Sequence, residues 1–364
     1  MLNNDLEIIL FTYNRAKQLR RTLEQLFAEN SPIRHTDITI LDNHSTDATF
    51  DVIQEYARKF SNVKHVRHNR NIGGVANSLR AFEMASRKYV WVLCDDDRYD
   101  WTAWSEVESA MARNEDLICI ARYALSEENK DKPEHQIFQL TFIPAGIYKT
   151  TNITEAALRI AYDNINSLLP QTCFVAGILN AGKRIHTISS PIVLRSQLEP
   201  VDETYTRGYK QEDLPLKTRA MCWIVGYANV CSLLKDEMIK HRTLLIAIDF
   251  KEIHDGFDKF CEYITYCYTG KEYWTLVLSL FLQMDKASQR ILLESFMKNQ
   301  IHFMTDEKVM YEYFLKFGAE YSTLFSLPNG EASFSKKVYS MKLEDGTLRT
   351  ISVFDTAPKV ENVA

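Results

Sequence analysis

The chain has no CxxC pair, no GxGxxG fingerprint and no apolar run long enough to span a bilayer. Its cysteines (Cys94, Cys119, Cys173, Cys222, Cys231, Cys261 and Cys267) are odd in number and scattered. That pattern argues against a disulfide framework or a zinc cluster and for reduced thiols in a cytosolic protein. The start, MLNNDLEIILF, is polar and acidic before a short apolar run, unlike a signal peptide. The longest apolar run, about Tyr273 to Met284, is too short for a membrane span. Basic charge is not in excess either: 43 Lys and Arg face 48 Asp and Glu, so nucleic acid is not an expected partner. No internal repeat or low-complexity segment stands out. A cytoplasmic location is expected, with peripheral contact at the inner face of the plasma membrane left open.

What is present is an ordinary globular composition, 46% hydrophobic and 25% charged, over 364 residues. That length suggests about two domains. Leu6 to Phe11 reads as a buried strand that breaks at Thr12-Tyr13-Asn14-Arg15. A helix follows with Leu19, Leu23, Leu26 and Phe27 on one face and Asn14 as its N-cap. Asp37 to Leu41 is a second strand, ending at Asp42-Asn43-His44-Ser45-Thr46-Asp47. The next helix carries Phe50, Ile53, Ala57 and Phe60, with Ser45 or Thr46 as its cap. Asn62 to Arg67 is a third strand, and Asn71-Ile72-Gly73-Gly74 opens a helix with Val75, Leu79 and Phe82. The fourth strand, from Tyr89, runs into Cys94 and then three carboxylates, Asp95, Asp96 and Asp97.

This alternation implies a parallel sheet with right-handed crossovers, whose strand-to-helix turns gather along one edge. Thr12, Tyr13, Asp42, Asn71, Asp95 and Asp97 should therefore converge. Ligands of open α/β sheets bind just beyond the carboxyl ends of the strands. Three like charges at the end of a buried strand are costly unless a cation or hydrogen-bonding ligand compensates them. Carboxylate oxygens suit hard cations such as Mg²⁺ or Mn²⁺. The plainer readings are an acidic turn capping the following helix, and an Asx turn at Asp42. Gly73-Gly74 permits close backbone approach to a ligand, or simply a turn of positive φ. The basic run Lys64, His65, Arg67, His68 and Arg70 reads as a solvated strand face before a steering patch.

Further along, Trp101, Trp104, Val107 and Met111 lie at helical spacing, the tryptophans reading as core before a surface that stacks on a sugar ring. Asp116 to Tyr123 reads as a strand, Glu127 to Gln136 as a surface loop, Thr154 to Leu169 as a helix and Thr172 to Leu179 as a strand. Beyond about residue 235 the chain reads as helical, then as a closing hairpin around Asp345-Gly346.

Thr12-Tyr13-Asn14-Arg15, Asp42-Asn43-x-Ser45-Thr46-Asp47, Asn71-x-Gly73-Gly74 and the DxD run Asp95-Asp96-Asp97 stand in an order and spacing that resembles the family 2 glycosyltransferases. The resemblance covers about residues 6–105 and extends, more weakly, to Glu212-Asp213. It implies an α/β GT-A fold in residues 1–234; residues 235–364 carry no family match and read from their own pattern as a mainly helical subdomain ending in a β-hairpin. It implies a metal-dependent, inverting transferase taking a UDP- or dTDP-type sugar. In that family pattern Asp97 ligates the metal, Asp95 holds the ribose or the metal's water, and Asp96 supports them. Asp42 reads the base, Thr12 and Tyr13 line the base pocket, Arg15 reaches a phosphate, and Asn71, Gly73 and Gly74 face the ligand. Asp213, with Glu212 beside it, is the implied general base. Lys217-Thr218-Arg219 and Trp223 do not reproduce the QxxRW motif of processive members. The implied acceptor is a glycan or lipid-linked saccharide in bacterial surface polysaccharide assembly, and a homo-oligomer is compatible with the terminal hairpin. Two rivals stand beside it, a sugar nucleotidyltransferase and a catalytically inactive nucleotide-binding scaffold.

Overall fold

A computed structural model describes residues 4–122, 125–167, 169–194, 227, 230–248, 325–326, 336–342 and 348–354. The chain divides into two compact units, Met1–Pro215 with Asn229–Thr243, and Leu216–Ala228 with Leu244–Ala364.

The first unit is built on alternating strands and helices: β1 (Leu6–Thr12), α1 (Ala16–Leu26), β2 (Asp37–Asp42), α2 (Thr49–Lys59), β3 (Val63–Arg67), α3 (Gly74–Glu83) and β4 (Tyr89–Leu93). A two-residue strand, β5 (Arg98–Tyr99), and α4 (Trp104–Ala112) follow, then β6 (Leu117–Ile120), α5 (Pro133–Gln139) and β7 (Gly146–Lys149). The unit continues with α6 (Glu155–Asp163), α7 (Thr172–Asn180), β8 (Ile185–Ile188) and β9 (Val193–Leu194). Seven strands form one sheet in the order β3-β2-β1-β4-β7-β6-β8. β1, β2, β3 and β4 pair in parallel, as do β6 and β8, whereas β7 runs antiparallel to β4 and β6.

The central strands are buried on both faces, which is why Leu6–Leu10 and Tyr89–Leu93 read as nearly unbroken apolar runs. β3 lies at the sheet edge, and its Lys64, His65, Val66 and Arg67 are exposed. Charge on an edge strand discourages pairing with another chain. Helix α1 buries Leu19, Leu23 and Leu26 against the sheet as the periodicity indicates.

Several expectations are corrected. Asn14 does not cap α1: it adopts φ 51, and its side-chain oxygen accepts from the Thr46 N–H instead. α2 buries Val52, Ile53 and Tyr56 with Thr49, while Phe50, Ala57 and Phe60 are only partly covered. Neither Ser45 nor Thr46 caps α2, because Ser45 bonds Asp42 and Thr46 bonds Asn14. The stretch read as a surface loop contains α5, begun by Pro133 at the first helical position, where a missing N–H costs nothing. Thr172 to Leu179 is not a strand. It forms α7, whose Phe174 packs on Phe82 and Tyr148.

In the second unit β11 (Lys336–Lys342) and β12 (Leu348–Phe354) pair antiparallel, and β10 (Phe325–Ser326) adds to β11. This is the hairpin expected around Asp345-Gly346. The helices read between residues 253 and 299 lie outside the described residues. Among the described residues no helix is long and apolar enough to cross a membrane.

Candidate active site

Register brings the turn residues together. In the β1–β2 pair Thr12 stands opposite Asp42, and in the β1–β4 pair Leu10 stands opposite Leu93. Two residues further along both chains, Thr12 meets Asp95. Its hydroxyl donates to Asp95 Oδ2 at 2.5 Å. Arg15, at the start of α1, lies with Nε 3.4 Å from Asp95 Oδ1 and Nη2 3.0 Å from Asp96 Oδ2. Asp95 is only 5% exposed, and burial pushes its carboxyl up to about 7. The charge of Asp96 pushes the same way, while Arg15 and the Thr12 hydroxyl oppose it.

Cys94, Asp96 and Asp97 form a second group, which shares Asp96 with the first and has one donor atom from each residue within 4.8 Å of the others. Burial pushes the Cys94 thiol well up, and the three aspartates add to it. The Tyr99 hydroxyl is raised for the same reasons, burial first and then Asp97. The two carboxylates suit a hard divalent cation such as Mg²⁺ or Mn²⁺, so Asp96 and Asp97 fit the metal the sequence implied, whereas the Cys94 thiol, held protonated by burial and by the aspartates, is no ligand for such an ion.

Asp42 is fully buried. Its Oδ1 accepts from the backbone N–H of Ser45 at 3.0 Å and from the Ser45 hydroxyl at 2.5 Å. Its Oδ2 lies 3.2 Å from Arg67 Nε. Arg67 also donates to the Ser45 carbonyl at 2.6 Å and lies over the Phe50 ring at 4.4 Å. Tyr13 is half-buried on the turn after β1.

The third turn is tied to the second by Asn43. Its Nδ2 donates to Asn71 Oδ1 at 2.7 Å, and its Oδ1 accepts from the Ile72 N–H at 2.9 Å. Asn71 Oδ1 also accepts from the Gly73 N–H at 2.8 Å. Gly73, at φ 88 and ψ 152, needs the absent side chain, and Gly74 starts α3 directly after it.

The structure thus brings Thr12, Arg15, Asp95 and Asp96 into direct contact, sets Asp42 beside Thr12, and joins Asn71 through Asn43. Glu212 and Asp213 lie outside the described residues. The tryptophans pack inward: Trp104 lies 5.6 Å from Trp91, and Trp101 stacks on Tyr99 at 5.1 Å. Sequence reasoning missed Asn43 and Arg67, and it missed Thr22 and Gln25 on α1, whose side chains bond the backbone of Asp95, Asp97 and Tyr99. For Thr22 and Gln25 the signal was available, since polar residues interrupt the face that buries Leu19, Leu23 and Leu26.

The model of the family described as Glycosyl transferase family 2 matches residues 7–176. A Mycoplasma genitalium protein described as an uncharacterized glycosyltransferase is 29% identical over 126 residues, which is 34% of this chain and 42% of that protein. A poly(ribitol-phosphate) beta-glucosyltransferase of Bacillus spizizenii is 27% identical over 93 residues, 25% of this chain and 15% of that one. The chain thus spans less than half the length of these curated relatives. In fold it is similar to residues 1–349 of S. aureus TarS, solved in complex with UDP-GlcNAc. That likeness has a TM-score of 0.52 at 15% identity and covers 95% of this chain and 99% of the other.

Proposed function

We propose that the protein, whose residues 7–176 match the model of glycosyl transferase family 2, transfers a sugar from a UDP- or dTDP-type donor to a hydroxyl of a glycan or glycoconjugate acceptor. The observation that carries this is the meeting of Thr12, Arg15, Asp95 and Asp96 beside Asp42 at the carboxyl ends of β1, β2 and β4. The UDP-GlcNAc bound by TarS supports the donor class. The poly(ribitol-phosphate) substrate in a relative's name supports an acceptor of the surface-polysaccharide kind.

In this reading Asp42 accepts the base N–H, and Thr12 and Tyr13 form the wall beside it. Arg15 turns from Asp95 and Asp96 toward the donor phosphates, and the Gly73-Gly74 turn lets backbone approach the ligand. Asp97, with Asp95 or Asp96, would hold a divalent cation, Mn²⁺ or Mg²⁺, which when bound neutralises the diphosphate as a leaving group. Asp213, with Glu212 as its alternative, removes the acceptor proton as that oxygen attacks the anomeric carbon. The new C–O bond forms as the bond to the diphosphate breaks, with inversion at that carbon. Residues 1–234 would be the catalytic domain and residues 235–364 an acceptor- or partner-facing one, with the protein working at the cytoplasmic side.

The test is a panel of nucleotide sugars screened by calorimetry, followed by Mn²⁺-dependent UDP release for wild type, Asp97→Ala and Asp213→Asn. Asp97→Ala is expected to abolish metal-dependent donor binding. Asp213→Asn is expected to spare donor affinity and to cut turnover by roughly 10²–10⁴-fold. UDP binding without turnover of any nucleotide sugar would favour an inactive scaffold.

A further inference from the structure

The turn that carries the acids is held from below by one helix. Thr22 Oγ1 donates to the Asp95 carbonyl at 2.9 Å. One turn later, Gln25 Nε2 donates to the Asp97 carbonyl at 3.3 Å, and Gln25 Oε1 accepts from the Tyr99 N–H at 3.2 Å. The contacts fall on residues 95, 97 and 99, every second residue of an extended turn, and come from positions i and i+3 of α1. Such positions share one helix face. Thr22 is buried, although its neighbours on that face are leucines.

The Gln25 amide is fully engaged. Its nitrogen also donates to the Arg21 carbonyl at 3.1 Å, so both its N–H groups and its oxygen have partners. That set fixes the orientation of the amide, because a flipped one would set its NH₂ against the Tyr99 N–H. Glutamate has the same shape but would face the Asp97 carbonyl with an oxygen. Only an amide satisfies donor and acceptor together.

We propose that Thr22 and Gln25 are positioning residues that set the direction of the Asp95 and Asp97 carboxylates by fixing the backbone that carries them. This rests on the reading of Asp97 as a cation ligand. Residues that orient metal ligands typically influence affinity by about 10–100-fold when lost. A side chain that only fills space between helix and sheet would affect thermal stability and leave ion affinity alone.

The experiment is Mn²⁺ binding to the full chain in the presence of UDP, measured by calorimetry beside the melting temperature. Variants are Thr22→Val, Thr22→Ser, Gln25→Glu and Gln25→Met, with Asp97→Ala as reference. Thr22→Val and Gln25→Met are expected to weaken Mn²⁺ by about tenfold or more. Gln25→Glu is expected to weaken it too, and Thr22→Ser, which keeps the hydroxyl, to restore wild-type affinity. Wild-type Mn²⁺ affinity in folded Thr22→Val and Gln25→Met would overturn the proposal while leaving Asp97 as a ligand. Wild-type affinity in Asp97→Ala would remove the cation reading itself, and the proposal with it.

Discussion

Thr12 and Asp95, 83 residues apart, share a 2.5 Å hydrogen bond inside the sheet edge. The bond fastens the end of β1 to the first acid after β4 and leaves that acid almost without water. Burial therefore raises the Asp95 carboxyl to about 7, against an ordinary value of 3.8. A raised folded-state value means that the native protein holds a proton the unfolded chain has released. The resulting stabilisation is fully present below about pH 4 and is lost as pH rises through 7. In divalent-free buffer, Asp95→Asn should thus gain stability relative to wild type between pH 5 and pH 8, by on the order of 1–3 kcal/mol. Denaturant titrations of both proteins at the two pH values measure it. An equal difference at both would show that the carboxyl titrates normally.

Arg67 and Asp42 yield a second prediction. The Asp42 carboxylate is wholly buried, and Arg67 is the cation beside it at 3.2 Å. Removing one partner of such a pair strands the other and costs roughly 3 kcal/mol. Arg67→Met should destabilise by about that much. Arg67→Lys should recover only part, since one ammonium cannot reach Asp42, the Ser45 carbonyl and the Phe50 ring together. Combining Arg67→Met with Asp42→Asn should cost less than the two single changes summed. Additive losses in urea unfolding would mean that the two charges do not interact.

The same pair shows what was legible in the sequence. Among the parallel strands of the first hundred residues, β1, β2 and β4 were readable because burial leaves apolar runs with turn residues at their ends, whereas edge strand β3 buries only Val63 and reads as more polar. The convergence of those turns followed from topology alone. Arg67, however, read as one member of a solvated basic run. Its role comes from the β2–β3 register, which sets it opposite Asp42, and register is not visible in composition. α7 was misread because six of its nine residues are buried, so its apolar pattern carries no period that separates helix from strand. β5 and β9 are two residues each and exist only through their pairing, Arg98 with Leu194 and Tyr99 with Val193, which leaves no local signal. Gln25 meets the same difficulty, since its Asp97 and Tyr99 partners lie more than seventy residues away.

His44 makes a prediction about strain. It sits at φ 67, in the left-handed region, at the turn after β2. Its Nδ1 lies 3.1 Å from the His68 carbonyl, which can only accept, so Nδ1 carries the proton. Glycine would relieve a left-handed cost of about 1–2 kcal/mol but would forfeit a hydrogen bond of about 1 kcal/mol and free the unfolded chain. His44→Gly should therefore stay within about 1 kcal/mol of wild type. His44→Val should lose about 2 kcal/mol or more, because a β-branched residue tolerates this conformation poorly. Thermal unfolding of the two variants separates these outcomes, and equal stabilities would show that the turn relaxes to another conformation.

Arg15 offers the last test, because its charge occupies the acids that the proposed reaction needs. Its guanidinium lies 3.4 Å from Asp95 and 3.0 Å from Asp96. A positive charge so near repels an incoming divalent cation and competes for the same oxygens. At an effective dielectric of about 20, unit charges 4 Å apart interact by about 4 kcal/mol, and partial solvent screening reduces this to about 1 kcal/mol. Arg15→Gln should accordingly bind Mn²⁺ several-fold more tightly than wild type without nucleotide. If Arg15 turns to the donor phosphates, the same variant should bind UDP more weakly, so its two affinities move in opposite directions. Calorimetry with each ligand alone reads both. Weaker Mn²⁺ binding by Arg15→Gln would mean that the arginine organises the acids for the cation and does not compete with it.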